Sequence, residues 1–322
     1  MAGPLPVVLD CDTGVDDSMA IFYGLLSPDI DVVAIGSVWG NTTVDLTTAN
    51  TLRLLDIAGA PPIPVARGAA GPLLGPLPPV GLIHGADGQG NTNLPPPARA
   101  ATGETASAQL IRLAHERPGV LTLVPTGPLT NVALALAQDP EIAQLYRGVV
   151  LMGGAFGVPG NITPTAEANI AHDPEAAQRV FAADWPVVAV GLDVTHTVWL
   201  TEELRQRLDA SGTPAGRHLH RITQFYMDGY ARRLGQRRCG MHDVVTLAVA
   251  ADPTLVLRQH RGRVAVELTG THTRGMTIAD LRPAVGGADT SPAAGAVVTI
   301  PLALDGPRFL DRFMALLCGT AA

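Results

Sequence analysis

The chain has 322 residues, 47% hydrophobic and only 16% charged, so it can bury a large core and needs no disulfide or metal staple to fold. A formal net charge of −7 argues against a nucleic-acid partner, which would be held mainly by clustered basic residues. All 22 basic residues are Arg, and the absence of Lys excludes Schiff-base chemistry and the phosphate-loop lysine.

Short β-branched runs alternate with helical patterns, which predicts an α/β fold with a mostly parallel central sheet flanked by helices, a Rossmann-like core. The predicted strands are Val7–Asp10, Val32–Val38, Val120–Pro125, Val149–Met152 and Val187–Gly191. Helices are expected near Asp17–Leu26, Thr42–Ala58, Thr105–Glu116, Asn131–Ala137 and Pro174–Ala183, the last capped by Asp173 with Pro174 at its first position. Two more fall at His218–Leu234 and His242–Ala251, while the Pro/Gly-rich stretch 61–97 is a functional loop or carries irregular structure of its own. No linker divides the pattern, so residues 1–322 are expected to form one domain. Cys11, Cys239 and Cys318 are widely spaced and suit a reducing compartment. With no room for a signal peptide before the first strand and no membrane-length apolar run, a cytoplasmic protein without a membrane partner is expected.

Ligands of open α/β sheets bind beyond the carboxyl ends of the strands, where Asp10 and Asp12, Asn41 and Thr126 fall. Asp10, Asp12, Asp16 and Asp17 crowd one strand-to-helix turn, with Gly14 expected to let the backbone bend. Four carboxylates so close repel one another unless a cation or protons intervene, and oxygen donors without nearby Cys select Ca²⁺ or Mg²⁺. The competing reading makes these acids helix caps and partners of a helix dipole. Asn161, Glu167 and Asn169 can converge on sugar hydroxyls. His242 and Asp243 open an apolar helix; His84 lies in a glycine-rich run; Tyr226 and Tyr230, four apart, can stack on a flat ring or pack in the core. His196, Trp185 and Trp199 are assigned to structure. Asp10-Cys11-Asp12 also looks like the opening of a haloacid dehalogenase phosphatase, a family that relies on a lysine absent here.

Together, DCDTGVDDSMA, VPTGPLTNVALAL, VVLMGGA, AEANI, HDPEAA, GLDVTH, MHD and GMTIAD resemble, in order, the inosine-uridine preferring nucleoside hydrolase family, almost from end to end. Thr13 stands where that family usually has proline, and Ala168 where many members carry Phe. The resemblance implies Ca²⁺ held by Asp12, Asp17, Asp243 and the Thr126 carbonyl, with Asp10 in support. It implies ribose bound by Asp16, Asn41, Asn161, Glu167 and Asn169, and a pocket that His84, Met152, Tyr226 and Tyr230 complete. The expected reaction is hydrolysis of a ribonucleoside to ribose and base, with Asp12 as general base toward a water activated by calcium and His242, with His84 or a tyrosine as alternates, protonating or hydrogen-bonding the leaving base. Neighbouring acids favour a charged His242. A homodimer or homotetramer is implied as well. A non-catalytic nucleoside or ribose binding protein is the alternative from a different class.

Overall fold

The computed structural model describes residues 3–78, 83–282 and 295–320. The stretch 61–97 therefore includes four positions, 79–82, that lie outside the described residues. The chain opens with β1 (Leu5–Cys11), α1 (Val15–Leu26), β2 (Ile30–Ser37), α2 (Val44–Ile57) and β3 (Val65–Arg67). It continues through α3 (Ala106–Glu116), β4 (Thr122–Pro125), α4 (Thr130–Gln138), α5 (Ile142–Leu145) and β5 (Gly148–Met152). Next come α6 (Ala168–His172), α7 (Pro174–Ala182), β6 (Val187–Val190), α8 (Leu192–Thr195), β7 (Trp199–Thr201), α9 (Glu202–Ala210) and α10 (Pro214–Leu234). The last part holds β8 (Arg238–Gly240), α11 (His242–Ala251), β9 (Val256–Gly262), β10 (Val264–Val266), β11 (Thr277–Ala279), β12 (Val298–Leu304) and α12 (Gly306–Leu317).

Eight strands form one sheet in the order β3-β2-β1-β4-β5-β6-β12-β9, parallel except for the antiparallel edge pair β12 and β9. The expected mostly parallel α/β architecture is thus present. Two small antiparallel pairs, β7 with β8 and β10 with β11, lie apart from it. Strand order runs outward in opposite directions from β1 and β4, so the loops leaving those two strands part company. The Thr126 N–H, donating to the Asp10 carbonyl at 2.9 Å, ties the two strand ends together beneath that crevice.

Side-chain alternation along β1 divides the core. Val7, Leu9 and Cys11 join a buried cluster with Phe22, Phe309 and Met314, whereas Val8 joins the cluster on the opposite face with Leu110, Leu123 and Val132. Asp10 shares the parity of Val8 and points toward α4, where Asn131 Nδ2 donates to its Oδ1 at 2.9 Å. α7 begins as its sequence predicts: Asp173 caps it by accepting from the Ala176 N–H at 3.1 Å.

Candidate active site

β1 ends at Cys11, and the next six residues carry three carboxylates into the crevice. Gly14 is extended, with φ −104°, so it is not needed for a sharp bend. What it supplies is room: a Cβ there would lie 2.6 Å from His84 Nδ1 and 2.7 Å from Asn41 Nδ2. Asp17 closes the first turn of α1, its Oδ2 accepting from the Gly14 N–H at 2.9 Å and from Asn41 Nδ2 at 3.1 Å. Its Oδ1 accepts from the Thr126 hydroxyl at 2.9 Å. Asp12 Oδ2 accepts from the Asn41 N–H at 2.7 Å, and Asp16 Oδ2 from the Tyr226 hydroxyl at 3.3 Å. Asp243 reaches the same place from the first turn of α11, which caps at Met241, so neither it nor His242 is a surface capping residue.

Asp12, Asp16, Asp17 and Asp243 are all buried, and carboxylate oxygens of Asp16, Asp17 and Asp243 lie within 4.8 Å of one another. Asp12 Oδ1 and Asp16 Oδ1 are buried without a hydrogen-bond partner among the described residues. Burial, reinforced by the charge of Asp17, pushes the Asp12 carboxyl well above its ordinary range; burial and then Asp16, Asp17 and Asp12 do the same to Asp243. Burial raises Asp16 to about 6, and burial with the charge of Asp16 raises Asp17 to about 6. Converging hard oxygen atoms, two of them without partners, fit a divalent cation of the calcium type. The Thr126 carbonyl lies at the same strand end and accepts from Asn169 Nδ2 at 2.8 Å, which leaves it a second lone pair.

The cleft above these acids is lined by Asp12, Asp16, Asn41, Ile83, His84, Thr126, Met152, Asn161, Glu167, Ala168, Asn169, Tyr226, Tyr230, His242 and Asp243. On one side Glu167 caps α6, its carboxylate accepting from the Asn169, Ile170 and Gly154 N–H groups, and burial raises it to about 7. Asn161 Oδ1 accepts from the Ala168 N–H at 2.9 Å, and Asn169 Nδ2 also reaches the Met152 carbonyl at 3.2 Å. On the other side an aromatic wall forms: His84 lies against Tyr226 with ring centres 4.7 Å apart, and Tyr226 meets Tyr230 edge-on at 5.1 Å. Tyr226 packs into the core and also lines the cleft.

The expectation of a charged His242 is corrected. Burial, and then repulsion from His196 and His84, lowers its pKa to about 3, and its neighbours are hydroxyls rather than carboxylates. Nδ1 lies 2.8 Å from the Thr195 hydroxyl and Nε2 lies 3.0 Å from the Tyr230 hydroxyl. Burial likewise lowers His84 to about 4, and its Nδ1 accepts from the Val15 N–H at 3.1 Å.

Every sequence-predicted site residue lines this cleft except Asp17, which lies in the acidic group beneath it, and Asp10, which strand parity turns away toward Asn131. Asn131 itself went unread: it also donates to the Ser37 carbonyl at 3.0 Å and accepts from the Ala69 N–H at 2.8 Å, a bracing role with no short-range signature. Ile83 was missed too, being one apolar residue within an irregular stretch.

A family model described as inosine-uridine preferring nucleoside hydrolase matches residues 7–311. The chain is 42% identical over 277 residues to a pyrimidine-specific ribonucleoside hydrolase of Citrobacter koseri, covering 86% of this chain and 88% of the relative. It is 39% identical over 282 residues to the inosine-uridine preferring nucleoside hydrolase of Leishmania major, covering 87% and 88%. Among solved structures, a plant nucleoside hydrolase superposes with a TM-score of 0.93 at 35% identity, covering 98% of this chain and 99% of the other. A purine-preferring ribonucleoside hydrolase from Gardnerella vaginalis gives 0.89 at 35% identity, covering 98% of each. The phosphatase and non-catalytic alternatives find no support in these likenesses. The chain belongs to the inosine-uridine preferring nucleoside hydrolase family, enzymes that act on N-glycosyl bonds.

Proposed function

We propose that this chain hydrolyses ribonucleosides to ribose and free base with calcium as its cofactor. The observation that carries the reading is the buried acidic group with partnerless oxygens on Asp12 and Asp16, at the floor of a cleft walled by amides and aromatic rings. Asp12, Asp17, Asp243 and the Thr126 carbonyl would hold the ion, with Asp10 supporting the turn from behind. Asp16, Asn41, Asn161, Glu167 and Asn169 bind the ribose hydroxyls, and His84, Met152, Tyr226 and Tyr230 complete the pocket. When bound, calcium would lower the pKa of the attacking water and offset the repulsion among the carboxylates.

Asp12 takes the proton of that water: its Oδ2 is tied to the Asn41 N–H, which leaves Oδ1 to act as the base. The water oxygen bonds to the anomeric carbon as the carbon–nitrogen bond breaks, and that bond's electron pair leaves with the base. Surrounding carboxylates stabilise the positive charge that develops on the sugar. His242, neutral in this site, donates a hydrogen bond from its ring N–H to the departing base nitrogen, the base takes its proton from water, and no covalent intermediate forms. A homodimer or homotetramer in the cytoplasm completes the proposal; the three free cysteines suit a reducing compartment. Among the described residues no helix is long and apolar enough to cross a membrane.

Incubation with inosine and, separately, uridine, with free ribose measured as reducing sugar, tests the reading. Release should stop with EDTA and return with added Ca²⁺; release indifferent to EDTA would overturn the calcium assignment.

A further inference from the structure

His242 is buried, with 4% of its surface exposed. A Cβ at Gly240 would sit 2.3 Å from His242 Nε2 and 2.8 Å from the Tyr230 hydroxyl, so β8 presses bare backbone against the ring. His196 meets the ring edge-on at 5.4 Å and is itself stacked on Trp199 at 5.9 Å. Thr195, the last residue of α8, is fully buried, does not line the cleft, and places its hydroxyl 2.8 Å from His242 Nδ1. Among the described residues that hydroxyl meets no other hydrogen-bond partner.

A buried hydroxyl proton without an acceptor costs free energy, so the sole neighbour decides the direction of the bond. We propose that Thr195 is the positioning residue for His242: its hydroxyl donates to Nδ1, which leaves the ring proton on Nε2, the nitrogen beside the hydroxyl of Tyr230, itself a residue of the cleft. The ring N–H is thereby set on the Tyr230 side before any substrate arrives, a donor for the negative charge that develops on the departing base. This deepens the reading of His242 as the group that serves the leaving base and rests on it. It also gives chemistry to the segment GLDVTH, which by sequence marks the fold more than the chemistry.

The test compares Thr195→Val, which keeps the side-chain shape but cannot donate, with Thr195→Ser and His242→Gln. Each is assayed on inosine or uridine and on p-nitrophenyl riboside, whose leaving group departs without protonation. Thr195→Val should lower kcat on the nucleoside by about 10- to 100-fold, within the range for partners that orient a functional histidine, with KM little changed. The nitrophenyl riboside should be turned over nearly as by the unmodified enzyme, and Thr195→Ser should restore nucleoside turnover. Equal losses on both substrates, no loss, or a Thr195→Ser variant no better than Thr195→Val would overturn the proposal. His242→Gln separates the two levels. If it spares nucleoside turnover, the leaving-group role of His242 itself fails; if it shows the selective loss while Thr195→Val does not, only the role of Thr195 fails.

Discussion

Asp12 and Asp17 stand five residues apart yet their surroundings divide the labour between them. Both oxygens of Asp17 are engaged by Gly14, Asn41 and Thr126, whereas Asp12 keeps one oxygen bare. Asp12→Asn should therefore leave the fold intact while reducing kcat by ~10²–10⁴-fold, the span a positioned base contributes. Circular dichroism alongside ribose release would check this, and near-normal turnover would remove Asp12 from the role of base. Gly14→Ala makes a different prediction. The new methyl group would displace His84 and Asn41, and through Asn41 the partner of Asp12. A fall in kcat/KM of about 10-fold or more is expected, as for a small displacement of catalytic groups, and unchanged kinetics would mean the turn simply shifts to accommodate the methyl.

Elements were legible where their signal is local and long enough. Helix α7 announces itself through Asp173 and Pro174, and its cap does more than cap: Asp173 Oδ2 also accepts from the Thr130 hydroxyl at 2.7 Å and the Leu73 N–H at 2.9 Å. Asp173→Ala should thus destabilise the protein by about 2–3 kcal/mol, a lost cap plus buried donors left unpaired. Urea unfolding with and without the substitution would measure it, and a change below about 0.5 kcal/mol would mean the N–H and hydroxyl groups find other partners. Strands β3, β7, β8, β10 and β11 have three residues each, too few to show a period. Strand β12 contains Pro301 beside a register irregularity, a residue that ordinarily speaks against a strand. Thr213 and Pro214, which start α10 four residues before the predicted His218, carry a capping signal as clear as that of α7.

At the scale of the whole molecule, the buried acidic group ties stability to pH and to calcium. An unfolded aspartate titrates near ~3.9, whereas burial raises Asp16 and Asp17 to about 6 and Asp10 to about 7. For a carboxyl whose folded pKa is raised, the folded state binds the proton more tightly; the favourable term is full below the unfolded pKa and disappears as pH climbs through the folded one. The EDTA-treated protein should therefore lose Tm between about pH 4 and about pH 7, and Ca²⁺ should restore it increasingly toward the alkaline end. A Tm independent of both would mean that the acids hold no ion. The sequence by itself determined the parallel α/β class, the acidic turn and most residues of the cleft. Those rest on signals read over a few neighbouring positions: two-residue and helical periodicity, capping pairs, and motifs carrying several functional groups at once. Only the tertiary structure decided that Asp10 faces Asn131 rather than the cleft, that Gly14 is needed for space rather than for bend, and that His242 is neutral between Thr195 and Tyr230. Each of these depends on which groups from distant parts of the chain arrive at the same point, and on how completely their packing excludes water.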